Sequence, residues 1–123
     1  MRLCICDIRN SVAGWTFTPE QLSEALNGQR LLNPSLDLSN PCNLNCPYCF
    51  VEKRDSERKL HFADEMTLQE TLSVIDDFAE AGALTINLVG AGEPTIDPVF
   101  PKVVQAINTL GLTPVVFTNG IRL

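Results

Sequence analysis

The chain has 123 residues, enough for one domain or part of one. Its 15 acidic residues outnumber the 9 basic ones, giving a net charge of −6, and this argues against non-specific nucleic-acid binding, which needs a basic footprint. No stretch is long and apolar enough to span a bilayer, and Arg2, Asp7 and Arg9 interrupt the N-terminal apolar run where a signal peptide would be continuous, so the expected location is cytoplasmic.

In chain order, residues 1–33 read as a lead-in carrying one short helix. Thr18, Pro19 and Gln21 combine a cap, a proline at the first helical position and a capping-box partner; Asn27-Gly28 is the stop. Leu22, Ala25 and Leu26 form its apolar strip, and Trp15 and Phe17 read as anchors of the lead-in on the core. Residues 34–123 read as the core. A short strand over 36–38 is halted by Asn40-Pro41, and the polar stretch 52–65 has no period and reads as loop. Thr67 and Glu70 make a second capping box, and Leu68, Leu72, Ile75 and Ala79 fall at helical spacing, so 68–81 is an amphipathic helix ended by Gly82. A strand over 84–89 runs into Gly90-Ala91-Gly92-Glu93-Pro94. Asp97-Pro98 opens a helix whose apolar face is Val99, Val103, Ala106, Ile107 and Leu110. After Gly111, a strand over 115–117 ends at Thr118-Asn119-Gly120.

Strands alternating with helices of this length predict parallel pairing through crossover helices. Such sheets place ligands at the carboxyl ends of their strands. The cysteine loop, the Gly-Glu-Pro segment and the Thr-Asn-Gly segment each follow one of the three strands.

The five cysteines are Cys4, Cys6, Cys42, Cys46 and Cys49, an odd and tightly clustered set that does not read as a disulfide framework. Cys42, Cys46 and Cys49 have the spacing C-x3-C-x2-C. Three thiolates on one short loop can hold three corners of a [4Fe–4S] cluster and leave one iron without a protein ligand. A closed zinc site would need a fourth donor from Cys4, Cys6 or His61 at a spacing unlike a finger. A ferredoxin would show a fourth cysteine after Cys49. A dithiol oxidoreductase could use Cys46-Pro47-Tyr48-Cys49, which looks like a glutaredoxin active site, with Thr113-Pro114 as the later threonine–proline segment. That reading leaves Cys42 and the Gly-Glu-Pro loop without a role. His61 reads as solvated, and Cys4 and Cys6 as ordinary thiols.

The run Cys42-Asn43-Leu44-Asn45-Cys46-Pro47-Tyr48-Cys49-Phe50 resembles the signature loop of the radical S-adenosylmethionine (radical SAM) superfamily. Gly90-Ala91-Gly92-Glu93-Pro94-Thr95 resembles its second motif, with alanine at 91 where a glycine is expected. The resemblance covers about residues 34–123. It implies the N-terminal part of a partial (β/α)6 TIM-like barrel, with three of its parallel strands present. A full eight-unit barrel takes about 250 residues, so six units are expected to need more than this chain. The resemblance further implies a [4Fe–4S] cluster on Cys42, Cys46 and Cys49, its open iron chelating the amino and carboxylate groups of S-adenosylmethionine. Reductive cleavage would give a 5′-deoxyadenosyl radical for hydrogen abstraction from an unidentified substrate. The implied partners are a low-potential electron donor of flavodoxin or ferredoxin type and, for an incomplete barrel, a chain supplying the rest of it. A cluster-binding fragment without turnover is the other class.

Residue by residue, Gly90 and Gly92 would leave room for the methionine moiety. Glu93 would accept hydrogen bonds from the cofactor, oriented by Pro94, or else be an ordinary loop carboxylate near a helix start. Tyr48 would pack near the adenine or lie as a lid over the cluster. Asn119 would reach cofactor or substrate, or simply form a turn with Gly120. Asp37, in the first strand, would face the barrel interior.

Overall fold

The computed structural model describes residues 16–28, 30–51 and 65–122. Cys4, Cys6, Trp15 and His61 lie outside the described residues, as do residues 52–64 of the expected polar loop. The elements are α1 (Pro19–Gly28), β1 (Ser35–Leu36), α2 (Leu68–Glu80), β2 (Thr85–Leu88), a 3₁₀ turn (Pro94–Ile96), α3 (Phe100–Thr109) and β3 (Thr113–Val116).

Both capping boxes form. The Thr18 amide donates to Gln21 Oε1 at 2.9 Å and the Gln21 amide to Thr18 Oγ1 at 3.2 Å, which fixes the start of α1. At α2 the Thr67 amide donates to Glu70 Oε2 at 2.8 Å and the Glu70 amide returns to Thr67 Oγ1 at 3.3 Å. Gly82 and Gly111, at φ 85° and 74°, turn the chain out of α2 and α3 in the left-handed region that other residues rarely enter. The apolar strip of α1 finds little cover, with Leu26 85% exposed, while Phe17 is half-buried. The lead-in is tied down at its end: the Leu31 amide donates to Ala81 O at 2.8 Å, and the Arg30 guanidinium donates to Gly82 O at 3.1 Å.

The three strands form one parallel sheet in the order β1-β2-β3. Registers are Ser35 with Asn87, Leu36 with Leu88, and Thr85 to Leu88 with Thr113 to Val116. Pairing of the first segment begins earlier than 36: the Thr85 amide donates to Leu32 O and the Asn87 amide to Pro34 O. It ends where the Val89 amide meets Leu36 O, because the chain then leaves the sheet to pass under the loop after β2. The third strand likewise starts two residues before the expected 115, since the Thr113 amide already donates to Leu84 O at 3.1 Å.

Leu36, Leu38, Ile86 and Leu88 share one sheet face and pack with Ile75 of α2 and Val103 and Ile107 of α3 in a single buried cluster. Both crossover helices therefore cover the same face, as right-handed connections between sequential neighbours require. Strand order does not reverse among the described residues. Thr85 and Asn87 occupy the opposite face of β2 and are also buried. Asn87 Nδ2 donates to Ser35 Oγ at 3.3 Å, while its Oδ1 is buried with no partner among the described residues. No helix among the described residues is long and apolar enough to cross a membrane.

Candidate cluster and cofactor site

The loops after β1, β2 and β3 leave the same end of the sheet, and hydrogen bonds knit them together. The first join is main chain to main chain: the Glu93 amide donates to Pro41 O at 2.9 Å, directly before Cys42. The approach is so close that a Cβ on Gly92 would fall onto the carbonyl oxygens of Pro41 and Ser39. A Cβ on Gly90 would fall onto the carboxylate of Asp37, whose Oδ2 accepts from the Ala91 amide at 3.3 Å. The two glycines thus have a packing requirement of their own: they let the loop after β2 close onto the segment entering the cysteine loop. The start of that segment is also held by Glu65, whose carboxylate accepts from the Asn40 amide at 2.8 Å.

Glu93 is 2% exposed and is the hub of the second join. Its Oε1 accepts from the Thr95 amide at 3.1 Å, from the Thr95 hydroxyl at 2.6 Å and from the Thr118 hydroxyl at 2.7 Å. Its Oε2 accepts from the Asn119 amide at 2.7 Å. Burial works to raise the carboxyl's pKa. The Asn119 amide, the Thr95 and Thr118 hydroxyls and the Thr95 amide outweigh it and bring the pKa below the ordinary carboxylate value. Glu93 is therefore an anion held by four donors, three on one oxygen. A carboxylate offers about four lone-pair sites, so Oε2 keeps one to spare. Pro94, buried, opens the 3₁₀ turn in which the Thr95 amide reaches back to Glu93.

The third join involves Asn119. Its main-chain amide holds Glu93, its Oδ1 accepts from the Ile121 amide at 3.1 Å, and its Nδ2 donates to Asn43 Oδ1 at 2.8 Å. Asn43 follows Cys42 in the cysteine loop. The expected turn forms at Asn119-Gly120, and the Asn119 side chain meets Asn43 of the first motif. Thr95, Thr118 and Asn43 were not singled out from the sequence, since a threonine or asparagine in a loop carries no signal until the strands bring it beside a carboxylate or an amide.

Cys42, Cys46 and Cys49 are free thiols, the first two half-buried and the third exposed. The Cys49 amide donates to Cys46 O at 3.1 Å, so 46–49 form a turn. Among the described residues no three cysteine, histidine, aspartate or glutamate side chains are gathered into a preformed cage. The donor set nonetheless fits an iron–sulfur cluster: three soft thiols share one loop, and the nearby Glu93 carboxylate is a hard donor less suited to such iron. Sites of this kind commonly gather their ligands as the metal binds. Tyr48 and Phe50 flank the last cysteine and are 87% and 88% exposed.

A family model described as the radical SAM superfamily matches residues 36–123, from β1 to beyond β3. The chain belongs to the radical SAM superfamily. Members of this family cleave S-adenosylmethionine with an iron–sulfur cluster. Among curated proteins the chain is 31% identical over 104 residues to an S-adenosylmethionine-dependent nucleotide dehydratase of Flammeovirga pacifica, covering 83% of this chain and 35% of that one. It is 34% identical over 90 residues to a GTP 3′,8-cyclase of Psychromonas ingrahamii, covering 72% and 25%. It is 32% identical over 84 residues to an Fe-coproporphyrin III synthase of Methanosarcina barkeri, covering 68% and 20%. The chain thus spans about a third or less of the length of these relatives. No solved structure shows a significant match to it.

Proposed function

We propose that the chain is the cluster- and cofactor-binding part of a radical SAM enzyme, with Cys42, Cys46 and Cys49 as the ligands of a [4Fe–4S] cluster. When bound, the cluster and S-adenosylmethionine supply a one-electron cleavage that yields methionine and a 5′-deoxyadenosyl radical able to abstract hydrogen from a substrate. The chain's own residues hold and aim these groups. The three thiolates would hold the cluster, with no fourth cysteine following Cys49. Glu93, ionised and held by its four donors, would accept through its remaining Oε2 lone pair from an N–H of the cofactor's amino group. Gly90, Gly92 and Pro94 set that carboxylate at the edge of the cysteine loop. Tyr48, exposed beside the last cysteine, would pack near the adenine, and Asn119 bridges the motifs.

The observation that carries this reading is the convergence of the three motif loops through Pro41, Glu93 and Asn119 at one sheet end. The similar proteins carry names for different reactions, which supports placing the shared chemistry, and not the choice of substrate, in this segment. The reductant is a small flavodoxin- or ferredoxin-type protein, and the compartment is the reducing cytoplasm, which keeps the thiols free. An anaerobically reconstituted sample, given dithionite and S-adenosylmethionine, should form 5′-deoxyadenosine. A cluster spectrum without any deoxyadenosine would instead make the chain a cluster-binding module without turnover.

A further inference from the structure

We infer that Asn119 is a positioning residue that couples the cysteine loop to Glu93, so that the cluster and the S-adenosylmethionine site keep a fixed relation. One residue makes both contacts. Its main-chain amide donates to Glu93 Oε2 at 2.7 Å, and its side-chain amide donates to Asn43 Oδ1 at 2.8 Å. Asn43 is bonded directly to Cys42, so the clip acts on the backbone that aims the first thiol. The loop after β3 is itself set: the Thr118 hydroxyl donates to Glu93 and accepts from the Gly120 amide at 3.0 Å, and Asn119 Oδ1 accepts from the Ile121 amide. Asn119 therefore presents its Nδ2 from a fixed turn. Without the side-chain bond, the described tethers left to this segment lie before Cys42, at the Asn40 amide to Glu65 and at Pro41 O to the loop after β2.

Cluster assembly does not need the clip, because the thiols remain. Its loss shows in how the cluster and the cofactor meet. This inference rests on the proposed cluster and cofactor roles of the two loops. The test uses anaerobically reconstituted wild type and the variants Asn43→Ala, Asn119→Ala, the double alanine variant and Asn43→Asp. Each is read for iron content, S-adenosylmethionine dissociation constant and the change in the reduced cluster's electron paramagnetic resonance on adding S-adenosylmethionine. A lost neutral hydrogen bond corresponds to about two- to tenfold in affinity. Each single alanine variant should keep its iron, bind S-adenosylmethionine weaker by about that factor and show a blunted spectral change. The double variant should be no worse than the poorer single one, since both remove the same bond. Asn43→Asp keeps an acceptor for Nδ2 and should restore the wild-type spectrum. Multiplying effects in the double variant, wild-type behaviour in both singles, or no rescue by Asn43→Asp would each overturn the inference. A wild type that takes up no cluster would instead overturn the proposed function beneath it, and the iron content separates the two cases.

Discussion

At the scale of single residues, Glu93 decides the most. Its carboxylate was legible in the sequence as a candidate cofactor group, and its place after the second strand was legible too. Its four internal donors were not: Thr95 supplies two from the adjoining turn, and Thr118 and Asn119 supply the other two only once β3 lies beside β2. Glu93→Gln would turn an NH2 group toward a backbone or hydroxyl donor and remove a charge-assisted bond, typically worth about 1.5–3 kcal/mol. The variant should keep its cluster, melt lower and bind S-adenosylmethionine about tenfold or more weakly in an equilibrium titration. The pH dependence follows from the same bonds. The folded pKa of Glu93 lies below its ordinary 4.5, so its stabilisation is complete above that value and is lost as pH falls through the depressed one. Glu70, lowered by the Thr67 hydroxyl and amide, and Glu20, lowered by its own backbone bond and the Thr18 hydroxyl, act in the same window. Denaturant melts across that acid range should therefore fall less steeply in Glu93→Gln than in wild type.

The glycines give a second residue-scale contrast. Sequence reasoning explained both by room for a cofactor, whereas the structure sets Asp37 against Gly90 and main chain against Gly92. A carboxylate can rotate away from an added methyl; two carbonyls of a buried segment cannot. Gly92→Ala should thus cost about 1–3 kcal/mol, and thermal melts should show Gly90→Ala to be the milder change, limited to the Asp37–Ala91 bond. Equal losses in the two variants would contradict this packing account.

At the scale of elements, the helices were the most readable. Thr18 with Gln21 and Thr67 with Glu70 mark their starts in the sequence, and each pair makes its reciprocal bonds in the structure. The helix after Asp97 begins later than its proline suggests, because Asp97 first makes a turn: its Oδ1 accepts from the Val99 amide at 2.9 Å and its carbonyl from the Phe100 amide. Strand limits were less readable, since apolar runs report burial and not pairing. Leu38 is buried beyond the end of β1, and Phe117, read as strand, lies just past β3 and is 43% exposed. Pro114 fell outside the expected strand but lies within β3. The Thr113 and Phe117 amides both turn toward β2, so by alternation position 114 faces away from β2, where a proline removes a donor that another strand could use. Pro114→Val should restore that N–H and increase self-association of the 123-residue chain, read by size-exclusion chromatography. An unchanged elution profile would mean that the edge is protected by something other than the proline.

At the scale of the whole molecule, the winding explains why three unremarkable loops make one site. Both helices cover the face of Ile86 and Leu88, each strand sits beside its predecessor, and every strand delivers its following loop to the same end. The order of elements and this convergence could be read from the sequence. The bonds that lock the loops together could not, because they join residues 25 to 76 positions apart. The proposed function requires that the cysteine loop hold a four-iron cluster with an open iron. The direct measurement is iron and sulfide content with the electron paramagnetic resonance of the anaerobically reconstituted, reduced chain, with and without S-adenosylmethionine. The account predicts about four irons per chain, a spectrum that changes when S-adenosylmethionine is added, and loss of the cluster on replacing any one of Cys42, Cys46 or Cys49 by alanine. A full cluster in Cys42→Ala, or a spectrum indifferent to S-adenosylmethionine, would contradict it.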